Sequence, residues 1–389
     1  MGSLKKVKLD IPLQDENTVL NATEIIRFIF DEADPVTPEF VHQNFGQSGE
    51  IVWPTDLLPL TIKIHVLTSE AMRADIKIEH GGDCQSDRAR KARDEVLSRI
   101  MTPCELEGGC KRAVYPIEFD RQDMFKGDDH FKPSYECVLA DGFVVERYSS
   151  KDFKSKSFAT WKRAEWLMLW FIESVSQSEH ETDPRWDYFF LKDPHGRIVS
   201  LCSVYIFPSF AFLSKGFIGD RVRLSQFLTI PSTWKHGIGS KLLRHIVDDV
   251  NSRGDVDKFT MEDPSFGMTS LRESVYLRVA NEANLFDMKD VSLLELEKTL
   301  KIPRVFAKRI KNLFALNHIR GSRKLNDSLV DRLMASDNKF IQKFIDSIEF
   351  YDDEEVEGVI DQPKSEDKTR LLVRTRMLEA LQKLDKIKV

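Results

Sequence analysis

The stretch from Arg221 to Arg272 constrains this chain most, because four elements with different demands follow one another there. Val222–Ile230 (VRLSQFLTI) reads as a strand, and Pro231–Gly239 (PSTWKHGIG) as a loop. Ser240–Val250 (SKLLRHIVDDV) has a helical pattern, with Ser240 at its start. A second short strand, Lys258–Met261, runs into Glu262, Asp263 and Pro264. A glycine-bearing loop that opens a helix presents free backbone N–H groups and the positive end of the helix dipole. A phosphate or pyrophosphate can sit there. Two adjacent carboxylates at the end of the next strand offer a base.

The flanking sequence divides by pattern. Ile25–Phe30 fits helix or strand, and its Ile and Phe content favours strand. Leu60–Val66 alternates, with Leu60, Ile62, Ile64 and Val66 on one side and Thr61, Lys63 and His65 on the other. Ala74–Glu79 alternates in the same way, so the two read as half-buried antiparallel neighbours of a small α+β region. Gly81–Gly82–Asp83 marks a turn, and Gly127–Ser134 a loop. Phe158–Val175 is apolar almost all round, the mark of a helix buried on most faces. Strands follow at Tyr188–Leu191 and Ile198–Phe207, with Pro194–His195–Gly196 turning between them. Beyond residue 285 the spacing is helical, over Ser292–Leu300 and Arg304–Leu316, the latter with Val305, Ile310, Leu313 and Phe314 as its apolar positions. Tyr351–Glu357 is acidic and Asp361–Lys368 polar, a linker composition, and Thr369–Leu384 has the spacing of an amphipathic helix.

Composition narrows the function classes. The 389 residues suffice for two or three domains, and 41% hydrophobic with 31% charged residues is ordinary for a globular chain. A net charge of −6 argues against generic nucleic-acid binding and is compatible with a basic protein partner. The five cysteines, Cys84, Cys104, Cys110, Cys137 and Cys202, form no CxxC pair, which suggests reduced thiols and neither a disulfide framework nor a zinc site. No apolar run approaches the ~18 residues of a membrane span. The first residues lack the apolar core of a signal peptide, and Lys5–Lys6–Val7–Lys8 reads as part of a solvated tail or as a short import signal.

Five ordered segments resemble one family. RLSQFLTIPSTWKHGIGSKLL and MEDPSFGMTSLR resemble the GNAT acetyltransferase superfamily. Pro38–Gly46, Trp170–Glu173 and Thr182–Phe189 narrow the resemblance to the type B histone acetyltransferases. It implies an α+β chain: a histone-binding α+β region over 1–140, a GNAT catalytic domain over 141–285, a helical region over 286–350, and a linker with a terminal helix over 351–389. It also implies transfer of acetyl from acetyl-CoA, without a metal, to lysine side chains in the N-terminal tail of newly synthesised histone H4 (with H3). The implied partner is a WD40 histone chaperone of the retinoblastoma-binding type, with no direct nucleic acid and no membrane, in nucleus and cytoplasm. Rival readings are a GNAT enzyme acting on protein N-termini or a small amine, and a scaffold that binds histone or acetyl-CoA without turnover.

The resemblance also distributes roles. Trp234, Lys235, His236, Gly237, Ile238, Gly239 and Ser240 form the acetyl-CoA loop, and Phe227, Leu228 and Thr229 the strand end whose backbone pairs with the pantetheine arm. Trp234 departs from the superfamily, which has Gln or Arg there; backbone N–H groups could still hold the phosphates, while the indole lies against the pantetheine or shields it. Glu262 matches the base, with Asp263 and Glu173 as neighbours. A base is needed because a lysine amine, with a solution pKa near ~10.4, is almost wholly protonated at pH 7. Asp263 before Pro264 also reads as a helix N-cap, and Glu173 as a solvent-reaching residue near the end of an apolar helix. Tyr205, Ile206, Phe207 and the loop from Phe45 to Glu50 match histone-tail contacts, against the plainer reading of Tyr205 as sheet packing.

Overall fold

The computed structural model describes residues 17–101, 132–152, 159–173, 175, 183–285 and 292–321. Lys5–Lys6–Val7–Lys8, Cys104, Cys110, most of the Gly127–Ser134 loop, and the acidic and amphipathic segments beyond residue 350 lie outside them. The chain divides into two compact units. The first joins Met1–Leu201 to Leu228–His236, and the second joins Cys202–Phe227 to Gly237–Val389.

The first unit opens with β1 (Asn17–Asn21), the one-turn α1 (Ala22–Ile25), β2 (Ile26–Phe30), α2 (His42–Phe45) and β3 (Glu50–Pro54). Asn21 ends β1 because its side chain accepts the Thr23 N–H at 2.9 Å and caps α1. Ile25 is therefore helical, and the expected strand starts one residue later. β4 (Leu60–Leu67), β5 (Arg73–His80) and α3 (Asp87–Met101) follow. β2 pairs parallel with β4, and β4 antiparallel with β5, in the register Ile62↔Ile78 and Ile64↔Ile76. The alternation in β4 is the one its sequence sets, with Leu60, Ile62, Ile64 and Val66 buried. Only glycine fits at Gly81, where a Cβ would stand 2.0 Å from the Leu58 carbonyl oxygen.

The same unit continues through β6 (Tyr135–Val138), β7 (Val144–Ser149), α4 (Ala159–Met168), β8 (Trp186–Lys192) and the start of β9 (Ile198–Ser209). β6, β7 and β8 form an antiparallel meander. The turn into β9 closes through Asp193, whose side chain accepts the N–H groups of His195 and Arg197 at 2.9 Å each. The apolar segment is a shorter helix than its sequence indicates. α4 stops at Met168, and the Trp170 carbonyl accepts the N–H groups of Glu39 and Phe40 at 2.9 and 3.0 Å. Trp161, Trp166 and Trp170 are fully buried nonetheless, with Phe28 5.3 Å from Trp170 and 5.2 Å from Phe171. Two of the indoles find partners close by: Trp166 donates to the Ile100 carbonyl and Trp161 to Glu165.

The second unit holds the rest of β9, most of β10 (Gly219–Thr229), α5 (Ile238–Ser252), β11 (Val256–Met261), α6 (Phe266–Glu282), α7 (Leu293–Leu300) and α8 (Arg304–Gly321). Strand neighbours run β6-β7-β8-β9 in the first unit and β9-β10-β11 in the second. β10 and β11 are parallel, and their pairing ends at Leu224↔Met261, five residues before β10 itself ends. α5 buries Leu242, Leu243, Ile246, Val247 and Val250 along one side. The fully buried Glu273 of α6 pairs with Arg309 of α8. On α8, Ile310 and Leu313 are buried as expected, but Val305 is 83% exposed and belongs to the opposite face.

Candidate functional site

In the first unit, the end of β10 leads into a tightly bonded loop. Leu228 is buried, and its carbonyl accepts from the hydroxyl of Ser200 on β9 at 3.1 Å. Ser200 also lies 3.2 Å from the Thr229 hydroxyl. The Ile230 N–H donates to the Val199 carbonyl at 3.0 Å. Pro231–Thr233 makes one 3-10 turn, with the Thr233 N–H and hydroxyl each 2.8 Å from the Ile230 carbonyl. Trp234 folds back, and its indole N–H donates to the Thr229 carbonyl at 2.7 Å. The indole stands edge-on to Phe171, with ring centroids 6.4 Å apart. Lys235 then takes a left-handed φ of +66°, and His236 is exposed.

In the second unit, Gly237 has φ +76° and caps α5, which begins at Ile238. The helix therefore starts two residues before Ser240. Glycine at the cap makes the difference: it adopts the left-handed turn freely, and the helix can begin directly after it. No side chain caps this end, and the Lys241 N–H donates to the Gly237 carbonyl. The N–H groups of Ile238, Gly239 and Ser240 thus form the open end of a 15-residue helix. An uncapped end with glycine in its first turn fits a pyrophosphate and needs no particular side chain.

The carboxylates follow β11 in the same unit. The Glu262 N–H donates to the Leu224 carbonyl at 2.9 Å, which extends the β10–β11 ladder by one bond. The Glu262 carboxylate lies 3.4 Å from Nε of Arg223 on β10, and its side chain is 42% exposed. The Arg223 guanidinium in turn lies 4.7 Å over the ring of Phe207 on β9. Phe207 meets Tyr205 edge to face at 4.6 Å. Tyr205, Phe207, Arg223 and Glu262 therefore form one row across three adjacent strands, with Ile206 half-buried between the aromatics. The row joins Tyr205 and Phe207, two of the four expected substrate residues, to the expected base.

Three placements differ from the sequence reading. Asp263 is exposed with φ +29° and does not cap α6; Ser265 does, accepting the Met268 N–H at 3.3 Å. The positive φ turns the chain at Asp263, and the cap position falls two residues later. Glu173 lies five residues past the end of α4, exposed in a turn of the first unit. Glu50 is the first residue of β3, opposite Asn21, and is exposed there; it is not part of a loop. Arg223 and Ser200 escaped sequence reasoning. Arg223 carries a signal in retrospect: it sits between the buried Val222 and Leu224, on the alternate face of β10. Ser200, within a run of buried strand residues, carries none.

Among the described residues, no group of three or more His, Cys, Asp or Glu side chains could hold a metal ion. No helix among them is long and apolar enough to cross a membrane. Cys84, Cys137 and Cys202 are in no disulfide.

Comparison with known proteins bears on the same stretch. The family described as Acetyltransferase (GNAT) matches residues 155–265, which include α4, β8 to β11, α5, Glu262 and Asp263. Several proteins named histone acetyltransferase type B catalytic subunit are similar over a longer span. The one from Mycosarcoma maydis is 31% identical over 304 residues, covering 67% of this chain and 63% of the relative. The one from Pyricularia oryzae is 23% identical over 343 residues, 76% of this chain and 70% of the relative. The human one is 22% identical over 330 residues, 75% and 72% respectively.

Proposed function

From a chain that carries a GNAT acetyltransferase domain and resembles type B histone acetyltransferase catalytic subunits over most of its length, we propose a lysine acetyltransferase acting on the N-terminal tail of newly synthesised histone H4. Acetyl-CoA supplies the acetyl group. The N–H groups of Ile238, Gly239 and Ser240 hold its pyrophosphate, and the backbone from Phe227 to Thr229 receives its pantetheine arm. N–H groups near Leu228 polarise the thioester carbonyl. Glu262 takes a proton from the substrate ammonium, directly or through a water, and the neutral amine attacks the thioester carbon. The new amide forms as the carbon–sulfur bond breaks, the second amine proton passes to the departing sulfur, and CoA leaves as the thiol, with no acyl-enzyme. The resemblance assigns Asp263 and Glu173 as further carboxylates, and Tyr205, Ile206, Phe207 and Glu50 as peptide contacts.

One observation carries this reading: the exposed Glu262 carboxylate is held by Arg223 in a row that ends in Phe207 and Tyr205. A carboxylate at the end of β11 and an aromatic surface on β9, bridged by Arg223 on β10 between them, support reading the one as base and the other as contact for a lysine stem. The words "catalytic subunit" in the relatives' name support a further subunit, for which a WD40 histone chaperone of the retinoblastoma-binding type is our proposal, in nucleus and cytoplasm. The test offers acetyl-CoA with an H4 tail peptide, a peptide bearing only a free N-terminal amine, or a polyamine. Acetylation of lysine in the tail peptide well above the other two supports the proposal. Preference for the polyamine or the N-terminal amine moves the chain to another GNAT activity. Binding without turnover on any of the three makes it a scaffold.

A further inference from the structure

The geometry points to Trp234 as a positioning residue for acetyl-CoA, one that sets the shape of the loop between β10 and α5 through its indole N–H bond to the Thr229 carbonyl. The inference rests on the acetyl-CoA reading above and adds a role for a residue at which this chain departs from the superfamily. The bond is short, at 2.7 Å, although the side chain is 37% exposed. An exposed indole N–H has water as a ready partner, so folding back onto a carbonyl five residues earlier is a local constraint on the chain. The bond closes a ring around the Pro231–Thr233 turn. Two further bonds lie inside that ring, from the Thr233 N–H to the Ile230 carbonyl and from the Trp234 N–H to the Pro231 carbonyl.

The anchor at each end is firm. Thr229 is the last residue of β10, beyond the point where β11 stops pairing with that strand, and its hydroxyl lies beside Ser200. On the other side the indole edge rests against Phe171. The next residue, Lys235, is held at φ +66°, a conformation that a non-glycine residue keeps only when its surroundings impose it. Trp234 is the side chain placed to impose it. Glutamine in this position keeps an amide N–H but on a flexible chain with no ring to rest against Phe171, so the Trp234→Gln change is expected to loosen the loop. A loop already held in its binding shape loses less entropy when the ligand arrives, and its affinity is higher for that reason.

The test uses the full chain and acetyl-CoA itself. Trp234→Phe keeps an aromatic ring against Phe171 and removes only the N–H. Its acetyl-CoA Kd by calorimetry, and the KM for acetyl-CoA, are expected to rise about fivefold, with kcat on the tail peptide within twofold and the thermal melt unchanged. Trp234→Gln should weaken binding at least as much. In 15N-labelled wild-type protein without cofactor, the Trp234 indole N–H should exchange slowly with solvent despite its exposure. Wild-type affinity in Trp234→Phe, or fast exchange of that N–H, overturns the proposal and leaves the acetyl-CoA reading intact. Failure of the wild-type chain to bind acetyl-CoA, with the slow exchange retained, overturns the acetyl-CoA reading instead and the positioning role with it.

Discussion

A carboxylate becomes a usable base through what surrounds it, and at Glu262 the neighbour is Arg223, 3.4 Å away and seated on Phe207. The pair is more than one-third exposed at both side chains, so its worth to stability is small. In the proposed mechanism its use is to aim the carboxylate. Arg223→Gln should therefore lower kcat on the tail peptide roughly tenfold with little change in acetyl-CoA affinity, and Arg223→Lys should recover part of the loss. Equal falls in kcat and acetyl-CoA affinity would show that Arg223 supports the fold and not the base. The placement of Glu262 and Asp263 just past β11 was legible because two carboxylates close a short strand. Arg223 was not, because its relation to Glu262 comes from strand pairing between residues about forty positions apart, which no local pattern encodes. The cap of α6 was misplaced for a related reason: Asp263 and Ser265 are both good capping types, and only the backbone angle at Asp263 decides between them.

Among the elements, α5 carries the most weight in the proposed mechanism. Gly239→Asp places a side chain and a negative charge in its first turn, where a pyrophosphate would approach, and calorimetry should find acetyl-CoA binding abolished; unchanged affinity would make this end purely structural. α5 is fastened to α6 by Arg244, which reaches Asp248 at 2.7 Å and Glu282 on α6 at 2.5 Å. The hydrogen bond from Arg244 holds the Glu282 carboxyl below its ordinary value of 4.5. A depressed carboxylate contributes stability above its unfolded pKa and loses it as pH falls through the folded one. Arg244→Ala should thus cost about 0.5 kcal/mol at pH 7, a small figure because both groups face solvent. The gap in thermal melt between wild type and variant should close as pH falls below 4.5; a gap that persists undiminished at acid pH would mean that Arg244 acts by packing. Periodicity made α5 itself readable. Its start was not, since a glycine loop and a glycine in a first turn look alike in sequence.

At the scale of the whole molecule, the α+β class was legible from alternation in β4 and β5 and from helical spacing beyond residue 285. The interior ion pair was not. Glu273 and Arg309 read as ordinary polar positions of two helices, yet Glu273 is fully buried and Arg309 of α8 is its ion-pair partner. Arg309→Ala strands a buried carboxylate and should cost about 3–5 kcal/mol of stability in the second unit, read as a lower denaturant midpoint; a loss under about 1 kcal/mol would mean that water reaches Glu273. The family resemblance rests on segments spread along the chain, and the GNAT match covers the part that holds Glu262. The most direct test of the account is steady-state acetyl-CoA turnover with an H4 tail peptide, wild type against Glu262→Gln, at pH 7 and at higher pH. The account predicts a wild-type enzyme that acetylates lysine, and a variant that binds acetyl-CoA normally but turns over roughly two to four orders of magnitude more slowly, the deficit shrinking as pH rises and more amine is neutral. Full activity of Glu262→Gln at pH 7 would contradict it and move the base to another carboxylate.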